Sequence, residues 1–173
     1  CTRCALAVNT RDRGWLDGLF ADDVQYGSQQ VFDIVHGHRH VGMVASITRY
    51  ILENLQVPAR EIELGQIAAY LHDIGNVINR QDHPISGANI AYSILNEMGM
   101  DPGEIAPILG AIGNHEELLG LPVSTMSAAI IIADKSDVHF SRVQNPMLET
   151  FDIHDRVNYA VQKSRVEMDL KEL

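Results

Sequence analysis

The sequence predicts an all-α protein, a helical bundle around a single core with irregular crossings. Three observations carry that prediction. Apolar residues recur at steps of three and four rather than alternating. Prolines and capping residues punctuate these runs at helix-length intervals. The 173 residues, 46% of them apolar, make one domain that buries ~70% of its unfolded surface.

Trp15, Leu16, Leu19 and Phe20 predict a short first helix. Val44, Ile47, Ile51 and Leu55 mark the next, stopped by Pro58. Residues 61–73 form another, with Leu64, Ile67, Ala68 and Leu71 on one face. Asp82 is the expected N-cap of a helix with Pro84 in its first turn and Ile90, Ile94, Leu95 and Met98 at helical spacing. In "DPGE", Asp101 is the N-cap, Pro102 the first helical residue and Glu104 the partner in a capping-box-like pattern. That helix carries Ile105, Ile108, Leu109 and Ile112 to His115. Ser124 or Ser127 opens the next, which ends near Asp137. Its "AIIIA" suits a buried strand on pattern alone, but its helical neighbours favour a helix. A last helix covers about residues 154–166. No repeat or linker divides the chain, so one domain is expected over 1–173, with a core at about 30–145 and flanking terminal helices.

A net charge of −10 disfavours a nucleic-acid partner, which would need a basic stripe. It leaves room for a small phosphorylated ligand and suits a protein that holds cations. The longest apolar run, "AAIIIA" at 128–133, is too short to span a bilayer, so no membrane partner is expected. No secretory signal follows the first basic residues. Cys1 and Cys4 form a C-x-x-C, read as terminal residues rather than a redox pair or half a zinc site, because no second such pair supports them. Without further cysteines a cytoplasmic home is expected. The chain opens on Cys1 rather than Met, which points to processing or to preceding residues. Association of identical chains stays open.

The polar residues stranded on apolar helices carry the chemistry. His40 sits one turn before Val44, and His72 and Asp73 end the following helix. His83 opens the next, His115 closes another, and Asp134 follows "AIIIA". Each alone is an ordinary cap or surface residue, since histidine suits helix C-termini. Six together are harder to dismiss, because each would need its own buried partner. Imidazole and carboxylate together suit Mn, Fe, Co, Ni or Zn. Adjacent helical residues point ~100° apart, so His72 can bind one ion while Asp73 bridges to a second.

The ordered set H…HD…H…H…D resembles the HD-domain metal-dependent phosphohydrolase superfamily. "HGHRHVGMV", "LHDIG", "HPISGA", "AIGNHEE" and "IIADKSD" are similar to its successive segments, over about residues 30–145. The resemblance implies a helical HD fold and two ions. His40, His72, Asp73 and Asp134 would hold one, and Asp73, His83 and His115 the other, with Asp73 the catalytic bridge. It implies hydrolysis of a small phosphate ester or anhydride, a nucleotide among the candidates. The alternatives are a mixed-valence di-iron oxygenase of the same ligand type and a non-catalytic regulatory HD domain. HD-GYP phosphodiesterases have a lysine where Asn76 stands, a paired His-His-Glu where Asn114–His115–Glu116 stands, and Gly-Tyr-Pro where Gly120–Leu121–Pro122 stands. Cyclic di-GMP is therefore not the expected substrate.

Around these residues, His36 lies four positions before His40 and suits orienting it, contacting substrate, or capping. Lys135 and Arg142 are candidate phosphate contacts, or surface charges of their segment. Asp137 and Asn114 are candidate supports of the ligands, Asp137 by orienting a histidine. His38, His139 and His154 have no expected role in the site. "HEELL" lacks the second His of H-E-x-x-H, and no Gly-rich phosphate loop or G-x-S-x-G is present.

Overall fold

The computed structural model describes residues 28–116, 120–143 and 147–169, with side chains from residue 38 onward. The expected helix at 15–20, the Cys1/Cys4 pair and the side chain of His36 lie outside the described residues.

Helix α1 spans Ser28–Asn54, starting well before the apolar repeat that announced it. It ends as a Schellman turn. Gln56 takes a left-handed φ of 57°, Gln56 N–H donates to Glu53 O and Val57 N–H to Leu52 O. Pro58 then opens α2, Ala59–Leu71, with Glu61 at its electropositive first turn.

The α-helix stops at Leu71 instead of reaching Asp73, so Asp73 lies just beyond the helix rather than in its last turn. His72 is the C-cap, and Asp73 adopts φ −96°, ψ 3° before a 3-10 turn over Ile74–Val77. The close packing of this turn requires glycine at residue 75. A Cβ there would lie 2.0 Å from His83 O and 2.6 Å from Gly87 N. The glycine lets α3, His83–Glu97, lie directly against the turn that carries Asp73.

Two capping expectations are corrected. Asp82 is the N-cap of α3, but its left-handed φ of 59° turns the side chain away and it makes no capping bond. Only its backbone carbonyl serves, accepting from Ile85 and Ser86 N–H. Asp101 caps α4, Pro102–Gly113, by accepting from Gly103 N–H. Glu104 does not close a box with it, because Arg60 of α2 holds both carboxylate oxygens at 2.7 and 2.6 Å.

Helix α5, Thr125–Ser136, is capped by Ser124, which accepts from Ser127 N–H, and "AIIIA" is helical. Two 3-10 turns, Phe140–Arg142 and Leu148–Thr150, lead to α6, Ile153–Ala160, which has an Asp152/Asp155 capping box. Helix α6 ends well short of 166. Val161 turns extended, and its carbonyl accepts from Phe140 N–H, tying this arm back to the body.

Helix α2 is central, packing against α1, α4 and α5, while α3 lies on α4 and the 3-10 turn. Val44, Leu64, Ala68, Ala91, Ile108, Ile112 and Ile130 form the apolar centre. Small residues such as Ala68, Ala111 and Ala133, all fully buried, let the helix ends converge on one side of it. No strand occurs, and no helix is long and apolar enough to cross a membrane, among the described residues.

Candidate metal centre

Five elements deliver six polar side chains to one place. His40 comes from the buried face of α1, His72 and Asp73 from the end of α2, and His83 from the first residue of α3. His115 follows the C-cap of α4, and Asp134 lies in the last turn of α5. All but Asp73 are buried.

The four imidazoles share one orientation. His72 Nδ1 lies 2.7 Å from Ala69 O, His83 Nδ1 2.8 Å from Arg80 O, and His115 Nδ1 2.7 Å from Ile112 O. Each acceptor is the carbonyl three residues back. His40 Nδ1 lies 2.8 Å from Asp137 Oδ2. A carbonyl or carboxylate oxygen only accepts, so each Nδ1 carries a proton and each ring turns Nε2, the ligand atom of a neutral imidazole, inward.

These Nε2 atoms converge on a divided carboxylate. Asp73 Oδ2 lies 3.6 Å from His40 Nε2 and 3.4 Å from His72 Nε2. Asp73 Oδ1 lies 3.2 Å from His83 Nε2 and 3.8 Å from His115 Nε2. Asp134 Oδ1 completes the first group, 3.2 Å from His40 Nε2 and 3.9 Å from His72 Nε2.

Three features test the fit to a metal. His40 Nε2 and His72 Nε2 are buried yet make no hydrogen bond, although carboxylate oxygens lie close. His83 Nε2 and His115 Nε2 stand 3.0 Å apart, and two lone pairs at that distance repel unless a cation or proton lies between them. Ligands about 2.0–2.1 Å from an ion stand roughly 3.0 Å apart at 90° and 3.4 Å in a tetrahedron, and the closest pairs here match. The residues fit a divalent transition metal.

A family model, that of the HD domain, matches residues 37–139, more than half of the chain. The chain belongs to the HD-domain family. No curated protein and no solved structure matches it. HD-domain proteins are mostly metal-dependent phosphohydrolases and bind divalent metals, and two overlapping groups here, His40 with His72 and Asp134, and His72 with Asp73 and His115, bring ligand atoms close enough to hold one.

Electrostatics in this HD domain favour a cation. Burial alone would raise Asp73, but His72, His83 and His40 outweigh it and hold its carboxyl far below the usual range. Burial opposes ionisation of Asp134 too, and His40, His72 and Lys135 overcome it. For His40, burial is outweighed by Asp134 and Asp137, which raise its pKa. Asp73 likewise raises His83, whereas burial and the neighbouring His72 lower His115. The carboxylates stay ionised, as ligands must.

A cavity of about 70 Å³ opens over Asp73, lined by Asp134, His83, His115, Asn76, Arg80, Glu116, Lys135 and Arg142. Lys135 Nζ is 3.0 Å from Asp134 Oδ2, and Arg142 Nη2 is 3.8 Å from Asp134 Oδ1. Arg142 also donates to Asp137 O at 2.9 Å, so part of its guanidinium is committed to the backbone. Asp137 accepts from His40, the supporting contact anticipated for it. Asn114 instead donates to Gly110 O within its own helix and lines a different cavity. His38 and His154 are exposed, and His139 bonds Ser141.

Sequence reasoning missed Arg39, Arg80 and Glu116. Arg39 grips Asp137, 98 positions away, and only the fold reveals that pairing. Arg80 had a local signal, three residues before His83 on the solvent side of a helix start. Glu116 had one too, as the neighbour of His115.

Proposed function

We propose that this HD domain is a metal-dependent phosphohydrolase acting on a small phosphate ester or anhydride. In this reading His40, His72, Asp73 and Asp134 hold one divalent transition-metal ion, and Asp73, His83 and His115 hold a second. The observation that carries the reading is Asp73. Its two oxygens each approach a different pair of histidines, and the cavity above it is also lined by Arg80, Lys135 and Arg142.

Ions bound there supply Lewis acidity, lowering the pKa of water and neutralising the charge of the transferring phosphoryl group. The chain's own groups bind and orient. Arg80 and Lys135 offer charge-assisted hydrogen bonds to non-bridging phosphate oxygens, and Asn76 adds a neutral donor. Arg142 holds the carbonyl of Asp137 and flanks Asp134, keeping that corner rigid. Glu116 is a carboxylate in the same cavity outside the proposed ligand set, placed to carry a proton. The cavity of about 70 Å³ is small and lined by polar side chains. In this reading the phosphoryl group enters it and the rest of the substrate stays outside.

The test is phosphate release from a panel of phosphorylated metabolites, using protein purified without chelator and loaded with Mn or Co under argon. Turnover without oxygen that disappears in Asp73→Ala is the expected result. Activity that requires iron and consumes dioxygen in step with substrate would overturn the assignment in favour of an oxygenase.

A further inference from the structure

The four histidines are not supported alike. His72, His83 and His115 each rest Nδ1 on a neutral backbone carbonyl, whereas His40 rests on the Asp137 carboxylate. Asp137 is fully buried. Arg39, the residue before His40, closes on it as a fork: Nη1 and Nη2 both reach Oδ1 at 2.9 Å, and Nη1 reaches Oδ2 at 3.1 Å. The fork saturates Oδ1 and presents Oδ2 to the imidazole. Successive residues of α1 thus grip one carboxylate at the end of α5.

We infer that Arg39 is a positioning residue of the metal centre, and that the Arg39–Asp137 pair makes the His40/His72/Asp134 half the tighter of two unequal cation sites. The inference rests on the two-ion reading above. A carboxylate behind a ligand imidazole raises its basicity toward the ion, which a carbonyl does less strongly. Arg39 is needed because a buried carboxylate without a cationic partner is costly and would relax away from the ring.

The direct ligands point the same way. The first half has Asp134 to itself and shares Asp73, while the His83/His115 half has only its share of Asp73. Glu116 adds little there. Its Oε2 is 3.4 Å from His83 Nδ1, whose proton already goes to Arg80 O, and its side chain is a third exposed, so water screens it. The half with more fixed negative charge binds more tightly.

Calorimetric titration of metal-free protein with Mn²⁺, elemental analysis of bound ions, and melting of each metal-free variant test this. Wild type should take up two ions in separable steps. His115→Ala should keep the tight step and lose the weak one. Asp137→Asn and Arg39→Gln should weaken the tight step by roughly 10–100-fold, and Arg39→Lys should recover only part of that loss. If either neutral variant fails to fold, the double variant Arg39→Gln/Asp137→Asn replaces the ion pair by an amide pair and must still weaken the tight step.

Two steps of indistinguishable affinity would overturn the inequality and leave the two-ion reading standing. So would loss of the tight step in His115→Ala. An unchanged tight step in a natively melting Asp137→Asn would overturn the role of the pair. A wild-type protein that takes up one ion, unaffected by His115→Ala, would overturn the two-ion reading itself.

Discussion

Gly75→Ala tests how the fold couples α3 to Asp73. A Cβ at residue 75 would lie 2.0 Å from His83 O, 2.6 Å from Gly87 N and 2.8 Å from His83 C, all backbone atoms that no rotamer change can move. Going from 2.0 Å to an ordinary contact of 3.4 Å means an opening of about 1.4 Å between the turn and the start of α3. Overpacking of this kind costs about 1–3 kcal/mol, and backbone neighbours place it at the upper end. At 2–4 °C per kcal/mol for a chain of this size, the Tm should fall by roughly 6–12 °C. The same movement carries His83 Nε2 away from its 3.2 Å approach to Asp73 Oδ1 and its 3.0 Å approach to His115 Nε2. The variant should therefore lose the ion assigned to His83 and His115 and keep the one assigned to His40, His72 and Asp134. Scanning calorimetry and elemental analysis read both effects. Gly42→Ala is the control, because its Cβ would meet nothing within 4 Å and should stabilise α1 by roughly 0.5–1 kcal/mol. A Gly75→Ala protein that melts like wild type and carries two ions would refute the reasoning.

Asp73→Ala should lose both ions, whereas His83→Ala should lose one, as counted by elemental analysis of metal-loaded protein. Mn²⁺ at one hundred times its dissociation constant should stabilise the fold by about 2.7 kcal/mol per site, and a chelator should reverse the rise in Tm. Arg80→Ala should mainly raise KM, the signature of lost uniform binding. Arg142→Ala should also lower Tm, because Arg142 serves the carbonyl of Asp137 as well as the cavity. Cyclic di-GMP should show negligible turnover; rapid Mn-dependent cleavage would show that Asn76 and Leu121 had been given too much weight.

The apolar period made the helices legible, because burial of one face is the main force that holds each of them. The six clustered residues were legible for the converse reason: a polar side chain on such a face needs a partner. What the period could not show was local backbone chemistry. The period in "YLHDIG" does not show where the α-helix stops relative to Asp73, nor that Gly75 lies tight against α3. Glu104 matched a capping box by spacing, but Arg60, 44 positions away, offered a charged fork that a backbone N–H could not match. The fork of Arg39 on Asp137 was hidden in the same way, since a long-range ion pair leaves no periodic trace.

The centre also draws on the helices as dipoles. His72 caps the C-terminus of α2, His115 follows the C-cap of α4, and Asp134 lies in the final turn of α5. Each such end carries roughly half a negative charge, and three of them meet where Asp73 and Asp134 already concentrate anionic charge. Only α3 brings an N-terminus. There Pro84 removes one first-turn N–H donor, and the His83 ring bonds back to Arg80 O rather than facing the helix end. Neutral imidazoles cannot balance a field of that sign, and Arg39, Lys135 and Arg142 act from its margins. In the two-ion reading, compact divalent charges beside the Nε2 atoms supply the counterpart that this arrangement of helix ends calls for.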